Sequence, residues 1–410
     1  MNYALIRPDA KQSGYGKLAD YFTSIEPPLW LAMRAEQLKK DGHTVTILDQ
    51  ELNGTVQPLN IDFIEFIPFG IHPAGFIQSR EGVKDQMYEL GQSSYVKCWN
   101  VLPEFDINLI PDWHSLPVEK YRCHANVGWG RPRNPSGVLF TSFSCPYQCG
   151  YCVIKEYYGH KRRLRDINVV IKDVQTQIDC GIRNIKIIDE LFLFEKDRVI
   201  EICDKIISLG VPDLNMSCFV RVDTCSPEIL KKMHKAGINW VGIGIESGNL
   251  GIRQKEFKAN FSNEKIVEIC RMIRDCGISI CANFMYGFED DTLDTMKETY
   301  DLSYKILGES SNYNCIMAYK GTKLYQNAIE KGWRVAQNWS EYAQQGYECY
   351  PLRTNALTSK QVLAFRDKAF MDYNTDPRYL NMIENKYGKD VVREINDMTA
   401  IKLKRKILGD

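Results

Sequence analysis

The sequence predicts an α/β protein: a partial (β/α)6, TIM-like barrel, preceded by a small truncated α/β unit of Rossmann-like type and followed by a helical C-terminal extension. Three observations carry this. From about Gly137 to Glu330, six short apolar, β-branched runs alternate with amphipathic stretches of helical length. Several of those stretches close on a glycine, Gly181, Gly210, Gly237, Gly277 and Gly308, where a helix C-terminus calls for a left-handed residue. The first 60 residues read as strand, helix, strand.

In chain order, Asn2–Ile6 (NYALI) is a strand, Pro28–Gly42 a helix and His43–Leu48 (HTVTIL) a second strand, with Ile61–Pro68 a third candidate. No further alternation is recognisable up to Trp113, so this unit, residues 1–106, looks shortened. Residues 107–134 read as a linker. The barrel, 135–332, has strands at Gly137–Ser144, Ile182–Ile188, Leu214–Val220, Trp240–Ile245, Ile278–Tyr286 and Tyr313–Ala318. Helices fall at Asn168–Cys180, Lys196–Leu209, Pro227–Ala236, Asn263–Cys276 and Leu293–Leu307. Serial strand–helix units give parallel strands under covering helices, as a partial or full barrel or an open doubly wound sheet. Residues 333–410 hold an aromatic segment, then helices at Ser359–Tyr373 and near Asp390–Lys406.

Composition bounds the partners. Lys+Arg and Asp+Glu number 52 each in 410 residues, so net charge argues against nucleic acid or an anionic membrane surface. The basic run at Lys402–Lys406 reads as the solvated last turn of a helix. No run of about 18 apolar residues occurs and the N-terminus lacks a secretory h-region, so a cytoplasmic location without membrane contact is expected.

Fourteen cysteines are scattered through the chain, and most read as reduced core residues. Cys145, Cys149 and Cys152 depart from that pattern as C-x3-C-x2-C, directly after the first barrel strand. Three thiolates suit a cubane cluster that leaves one iron without a protein ligand, or zinc with a fourth ligand, for which His160 is the nearest candidate. In a barrel, function belongs at the C-terminal ends of the strands, where this loop falls.

The segment Ser-Phe-Ser-Cys145-Pro-Tyr-Gln-Cys149-Gly-Tyr151-Cys152 resembles the cluster loop of the radical S-adenosylmethionine (SAM) superfamily. The resemblance implies a 4Fe-4S cluster on these cysteines, with SAM on the open iron cleaved to a 5'-deoxyadenosyl radical. It further implies that Asp189 and Glu190 meet the methionyl ammonium and Arg221 its carboxylate. On the residues alone, the two acids also suit a helix N-terminus, and Arg221 a salt bridge to Asp223. The segment Gly242-Ile-Gly244-Ile-Glu246-Ser247-Gly248 resembles the family's fourth-strand motif, placing Glu246 and Ser247 at the ribose. Asn283–Thr292, with Gly287, is similar to the fifth-strand segment beside adenine, with Glu289-Asp290 where relatives often carry Pro-Gly. Ala318–Tyr325 matches the sixth-strand exit.

The opening, Pro27–Ala32 with Gly42–Val45 and Leu48-Asp49, looks like the group with an N-terminal cobalamin-binding domain, and Phe69–Pro73, with His72, is similar to one of its loops. About half that domain is not recognisable, so cobalamin stays open. The expected reaction is hydrogen abstraction from an unactivated carbon of a small molecule, a sugar derivative or surface-polysaccharide precursor, with cobalamin-dependent methylation as the alternative. A non-catalytic zinc or iron–sulfur protein is a third reading. An electron donor such as flavodoxin or ferredoxin is implied. Trp333, Trp339, Tyr342, Tyr347 and Tyr350 are read as core or as a sugar pocket. No acid, base or hydrogen donor is assigned.

Overall fold

The computed structural model describes residues 1–9, 15–19, 21–53, 61–67, 95–98, 105–338 and 340–410. Strands β1 (Asn2–Arg7), β2 (Thr44–Asp49), β3 (Phe63–Phe66) and β4 (Tyr95–Cys98) form a parallel sheet in the order β2-β1-β3-β4. The order reverses between β1 and β3, the kind of switch point at which doubly wound sheets open a crevice at the strand C-termini. The sequence reading found at most three of these strands. The fourth, YVKC, escaped it because four residues with alternating exposure leave no apolar run to detect. The Phe69–Pro73 loop lies outside the described residues.

Helix α1 (Leu29–Lys40) is the joint between the two units. Its Leu29–Met33, Ala35 and Leu38 are all buried, as expected of a helix covered on every side. Arg34 grips Glu65 of β3 through two hydrogen bonds of 2.9 and 2.8 Å. On the other side Trp30 stacks on Phe105 and packs 5.7 Å from Phe143 and 6.5 Å from Phe140.

The barrel sheet contains β5 (Ser136–Leu139), β8 (Asn184–Ile187), β9 (Asn215–Val220), β10 (Ile238–Glu246), β11 (Ser279–Tyr286) and β12 (Ser310–Cys315), all parallel. Its order is β12-β11-β10-β9-β8-β5, and the edge strands β5 and β12 do not pair, so the barrel is partial. Helices α2 (Ile154–Tyr158), α3 (Ile167–Asp179), α4 (Lys196–Ser208), α5 (Pro227–Lys235), α6 (Leu250–Lys255), α7 (Asn263–Asp275), α8 (Leu293–Ile306) and α9 (Lys323–Glu330) connect the strands in turn. A short hairpin of β6 (Ser142–Phe143) and β7 (Arg163–Leu164) brackets the cysteine loop.

Two barrel expectations need correction. The first strand does not run through to Ser144, because the Thr141 N–H donates to the Asp189 carboxylate and the chain turns off into β6. The last strand lies three residues upstream of the expected run. Ser311, Tyr313 and Cys315 face the core while Ser310, Asn312 and Asn314 alternate with them, so a polar inner face hid the strand.

At the C-terminus, α10 (Ser359–Asn374) starts from a Thr358–Gln361 capping box and packs on β12. The helix expected near Asp390–Lys406 is α12 (Lys389–Ala400), which ends before the basic run, whose Arg405 is buried and not solvated. A helix that was not expected, α11 (Pro377–Tyr387), capped by Asp376, precedes it. Gly388, at φ 91°, separates them.

Candidate functional site

The cysteine loop leaves β6 through Ser144, which adopts φ 71° and donates its hydroxyl to the Gly159 carbonyl at 2.6 Å. Cys145 and Cys149 are half-buried, Cys152 is exposed, and all are free thiols. Burial pushes the Cys145 thiol up, and Cys149 and Glu190 add to it. The loop's far side is pinned by the Gly150 N–H on the Glu256 carbonyl, 3.2 Å. A Cβ at Gly150 would lie 2.8 Å from the Glu256 carboxylate, so the two segments approach closely here.

Among the described residues, no three Cys, His, Asp or Glu side chains are gathered as a metal shell. The donor chemistry nevertheless fits a cluster. Three soft thiolates on one loop match a cubane with an open iron, whereas structural zinc needs a fourth ligand. His160, the fourth-ligand candidate, is exposed and joins no such group.

Of the expected SAM contacts, Glu190, Arg221 and Glu246 come together around this loop, from β8, β9 and β10. The Glu190 Oε2 atom is buried without a hydrogen-bond partner. Burial, with Asp189 adding to it, pushes the Glu190 carboxyl up to about 8. Arg221 clasps Asp223 through two bonds of 3.0 Å, donates to the Lys258 carbonyl at 2.6 Å and lies 3.6 Å over the Tyr147 ring. The structural salt bridge is therefore what Arg221 makes, and it steadies Tyr147 of the cysteine loop. Glu246, at φ 67°, holds Lys258 at 2.8 Å. Burial opposes the Lys258 charge, but Glu246 and then Cys149 outweigh it and raise its pKa. Gly244 allows this packing: a Cβ there would sit 2.5 Å from Glu246 Oε1.

The other three are turned elsewhere. Asp189 accepts from the Thr141 N–H and hydroxyl at 2.6 Å each and the Ser142 hydroxyl at 2.7 Å, which shapes the entry to the cysteine loop and leaves it 1% exposed. Ser247 is fully buried; its Oγ lies 3.3 Å from Thr299 of α8 and accepts the Asn249 N–H. Gly287, at φ 93°, donates its N–H to Asp291, and a Cβ would strike Val362 at 2.7 Å. Its place is a turn under α10. Lys258, Tyr147 and Glu256 were missed by sequence reasoning. Lys258 and Glu256 lie in the connection after α6, which carries no motif.

Among the described residues, the aromatic C-terminal side chains have separate ring and cation partners. Tyr342 stacks on Tyr319, Tyr350 carries Arg334 at 3.5 Å, Trp333 lies beside Lys331 and Arg353, and Tyr347 is exposed. Trp339 lies outside the described residues. No described helix is long and apolar enough to cross a membrane.

The described fold is thus a partial parallel barrel with a three-cysteine loop at its C-terminal mouth. Residues 139–303 match the Radical SAM superfamily, and the chain resembles the group of that superfamily with a cobalamin-binding domain. An uncharacterized methyltransferase of Pyrococcus horikoshii is 25% identical over 66% of this chain and 56% of its own length. The cytidylyl-2-hydroxyethylphosphonate methyltransferase of Streptomyces wedmorensis is 23% identical over 60% of this chain and 47% of its own. The chain thus spans about half the length of these relatives. In fold it is similar to TsrM from Kitasatospora setae, a radical SAM methyltransferase with cobalamin and a 4Fe-4S cluster bound: TM-score 0.65, 12% identity, 97% of this chain and 99% of that one. It is also similar to OxsB, a cobalamin-dependent SAM radical enzyme, with TM-score 0.63 and 14% identity over 97% of this chain and 71% of that one.

Proposed function

We propose that this protein is a cobalamin-dependent radical SAM methyltransferase whose cluster is held by Cys145, Cys149 and Cys152. The observation that carries this reading is the four-stranded parallel N-terminal sheet, joined through α1 and Trp30 to the wall from which the cysteine loop leaves. Its β1/β3 switch point offers the crevice type in which such sheets bind large cofactors. Methyltransferases recur among the similar proteins.

When bound, the cluster supplies the electron that cleaves SAM, and the corrin supplies a carrier for the methyl group. The chain's own residues prepare the site. Glu190 presents a buried oxygen without a partner, suited to an ammonium group. Glu246, held through one oxygen by Lys258, keeps the other for hydroxyl donors. Arg221 and Asp189 set the loop, one through Tyr147 and one through Thr141 and Ser142. The electron comes from a one-electron protein donor.

The test is anaerobic reconstitution with iron, sulfide and hydroxocobalamin, then desalting, a visible spectrum and incubation with methyl-labelled SAM. Retained corrin in stoichiometric amount, with transfer of label, is expected. Cleavage of SAM to 5'-deoxyadenosine without retained corrin would return the reaction to hydrogen abstraction.

A further inference from the structure

Lys258 joins Glu246 and Arg221 beside the cysteine loop, and no sequence motif carries it. Its ammonium donates to Glu246 Oε1 at 2.8 Å, and its carbonyl accepts from Arg221 at 2.6 Å. The carbonyl of the preceding residue, Phe257, lies 4.0 Å from the Cys149 sulfur, and Cys149 adds to the stabilisation of the Lys258 charge.

An ammonium has three donors, and among the described residues Glu246 Oε1 accepts the one hydrogen bond that Lys258 makes. The side chain is only 10% exposed, so little water reaches the rest. Gly244 of β10 leaves room at this point, since a Cβ there would lie 2.8 Å from the Lys258 nitrogen. Arg221 is placed differently. Its Nε and Nη2 close on Asp223 and its face lies on Tyr147, so a carboxylate at that edge would have to displace Asp223.

From this geometry we infer that Lys258, and not Arg221, receives the carboxylate of SAM. The inference rests on the proposed reading only in taking SAM as the ligand, and it holds with or without cobalamin. A nearly buried ammonium with unused donors gains a charge-assisted acceptor, and the carboxylate gains a cation beside the cysteine loop. The charges around the point balance: Lys258 and Arg221 face Glu246 and Asp223. SAM, with sulfonium, ammonium and carboxylate, is a net cation and adds no further negative charge. With the second Glu246 oxygen turned to hydroxyl donors, the one ion pair serves two parts of the same molecule.

Anaerobic calorimetry of the reconstituted, unreduced protein tests this, with SAM and with decarboxylated SAM, which keeps the sulfonium and the amine. Lys258→Met is expected to weaken SAM by at least about tenfold and decarboxylated SAM by less than about twofold. Iron content and the visible spectrum before SAM is added should not change. The same contrast should separate Glu246→Gln from Glu246→Gln/Lys258→Met, a comparison in which no acid is left stranded, and Lys258→Arg should recover much of the affinity for SAM. Equal weakening of both ligands, or undiminished affinity for SAM, overturns the inference, as does a carboxylate-dependent loss confined to Arg221→Gln. If the unsubstituted chain binds SAM but shows no such contrast in the variants, the inference alone falls. If it binds neither ligand, the radical SAM reading falls and takes the inference with it.

Discussion

The Lys258 ammonium lies 2.8 Å from the Glu246 carboxylate, and Cys149 of the cysteine loop adds to its charge stabilisation. Both side chains are largely buried, so removing one partner strands a desolvated charge, at a cost of about 3–5 kcal/mol. Lys258→Met and Glu246→Gln should each lower the urea midpoint. The double variant should recover much of the loss, because two neutral groups leave no unpaired charge. Equal losses in single and double variants would show that the pair is not the source.

The cysteine loop is held by the Ser144 hydroxyl on the Gly159 carbonyl and the Gly150 N–H on the Glu256 carbonyl, beside which the Cys149 thiol adds only a long 4.0 Å contact to the Phe257 carbonyl. Cys145→Ala, Cys149→Ala and Cys152→Ala should therefore keep the far-UV spectrum and melting temperature of the apoprotein close to the unsubstituted chain. Each should abolish SAM cleavage. A triple variant that still binds a full complement of iron and labile sulfide would remove the cluster from this loop.

The barrel was legible because its strands bury one face under helices, which writes apolar alternation into the sequence. The cysteine triplet was legible as spacing. Side-chain direction at strand ends was not. Glu246 adopts φ 67°, which breaks the strand's alternation and sends Ser247 toward Thr299 of α8. Asp189 ends its strand facing the preceding loop, and its partners Thr141 and Ser142 lie nearly fifty residues upstream. Lys258 had no motif, since a connecting segment acquires meaning only from what it packs against.

Asp291 is 1% exposed and accepts the N–H groups of Gly287 and Phe288 at 2.9 Å each. Burial outweighs these bonds and pushes its carboxyl up from 3.8 to about 6. A carboxyl whose pKa is higher folded than unfolded retains a proton that the unfolded chain has released. Its contribution is thus fully present below pH 3.8 and is lost as the pH rises towards 6. Asp291→Asn should flatten that part of the stability–pH profile, measured by urea denaturation from pH 4 to pH 7. An unchanged slope would show that Asp291 is not ionising in this window.

Trp30 is 1% exposed and is the largest side chain of α1 against the barrel, touching Phe140 and Phe143 on the approach to Cys145. Trp30→Ala removes the indole from a position enclosed by Phe105, Phe140, Phe143 and Tyr158, where no single neighbour can refill the space. Such truncations cost about 3–5 kcal/mol. Arg34 and Glu65 still tie α1 to its own sheet, so the loss should fall on the joint between the units and not on the N-terminal sheet. Hydrogen exchange should accelerate at β5, β6 and the barrel-facing side of α1, with β1 and β2 little changed. Limited proteolysis should then cut first between residues 105 and 135. Uniform acceleration throughout the chain would mean that the two units unfold as one body and that Trp30 is ordinary core.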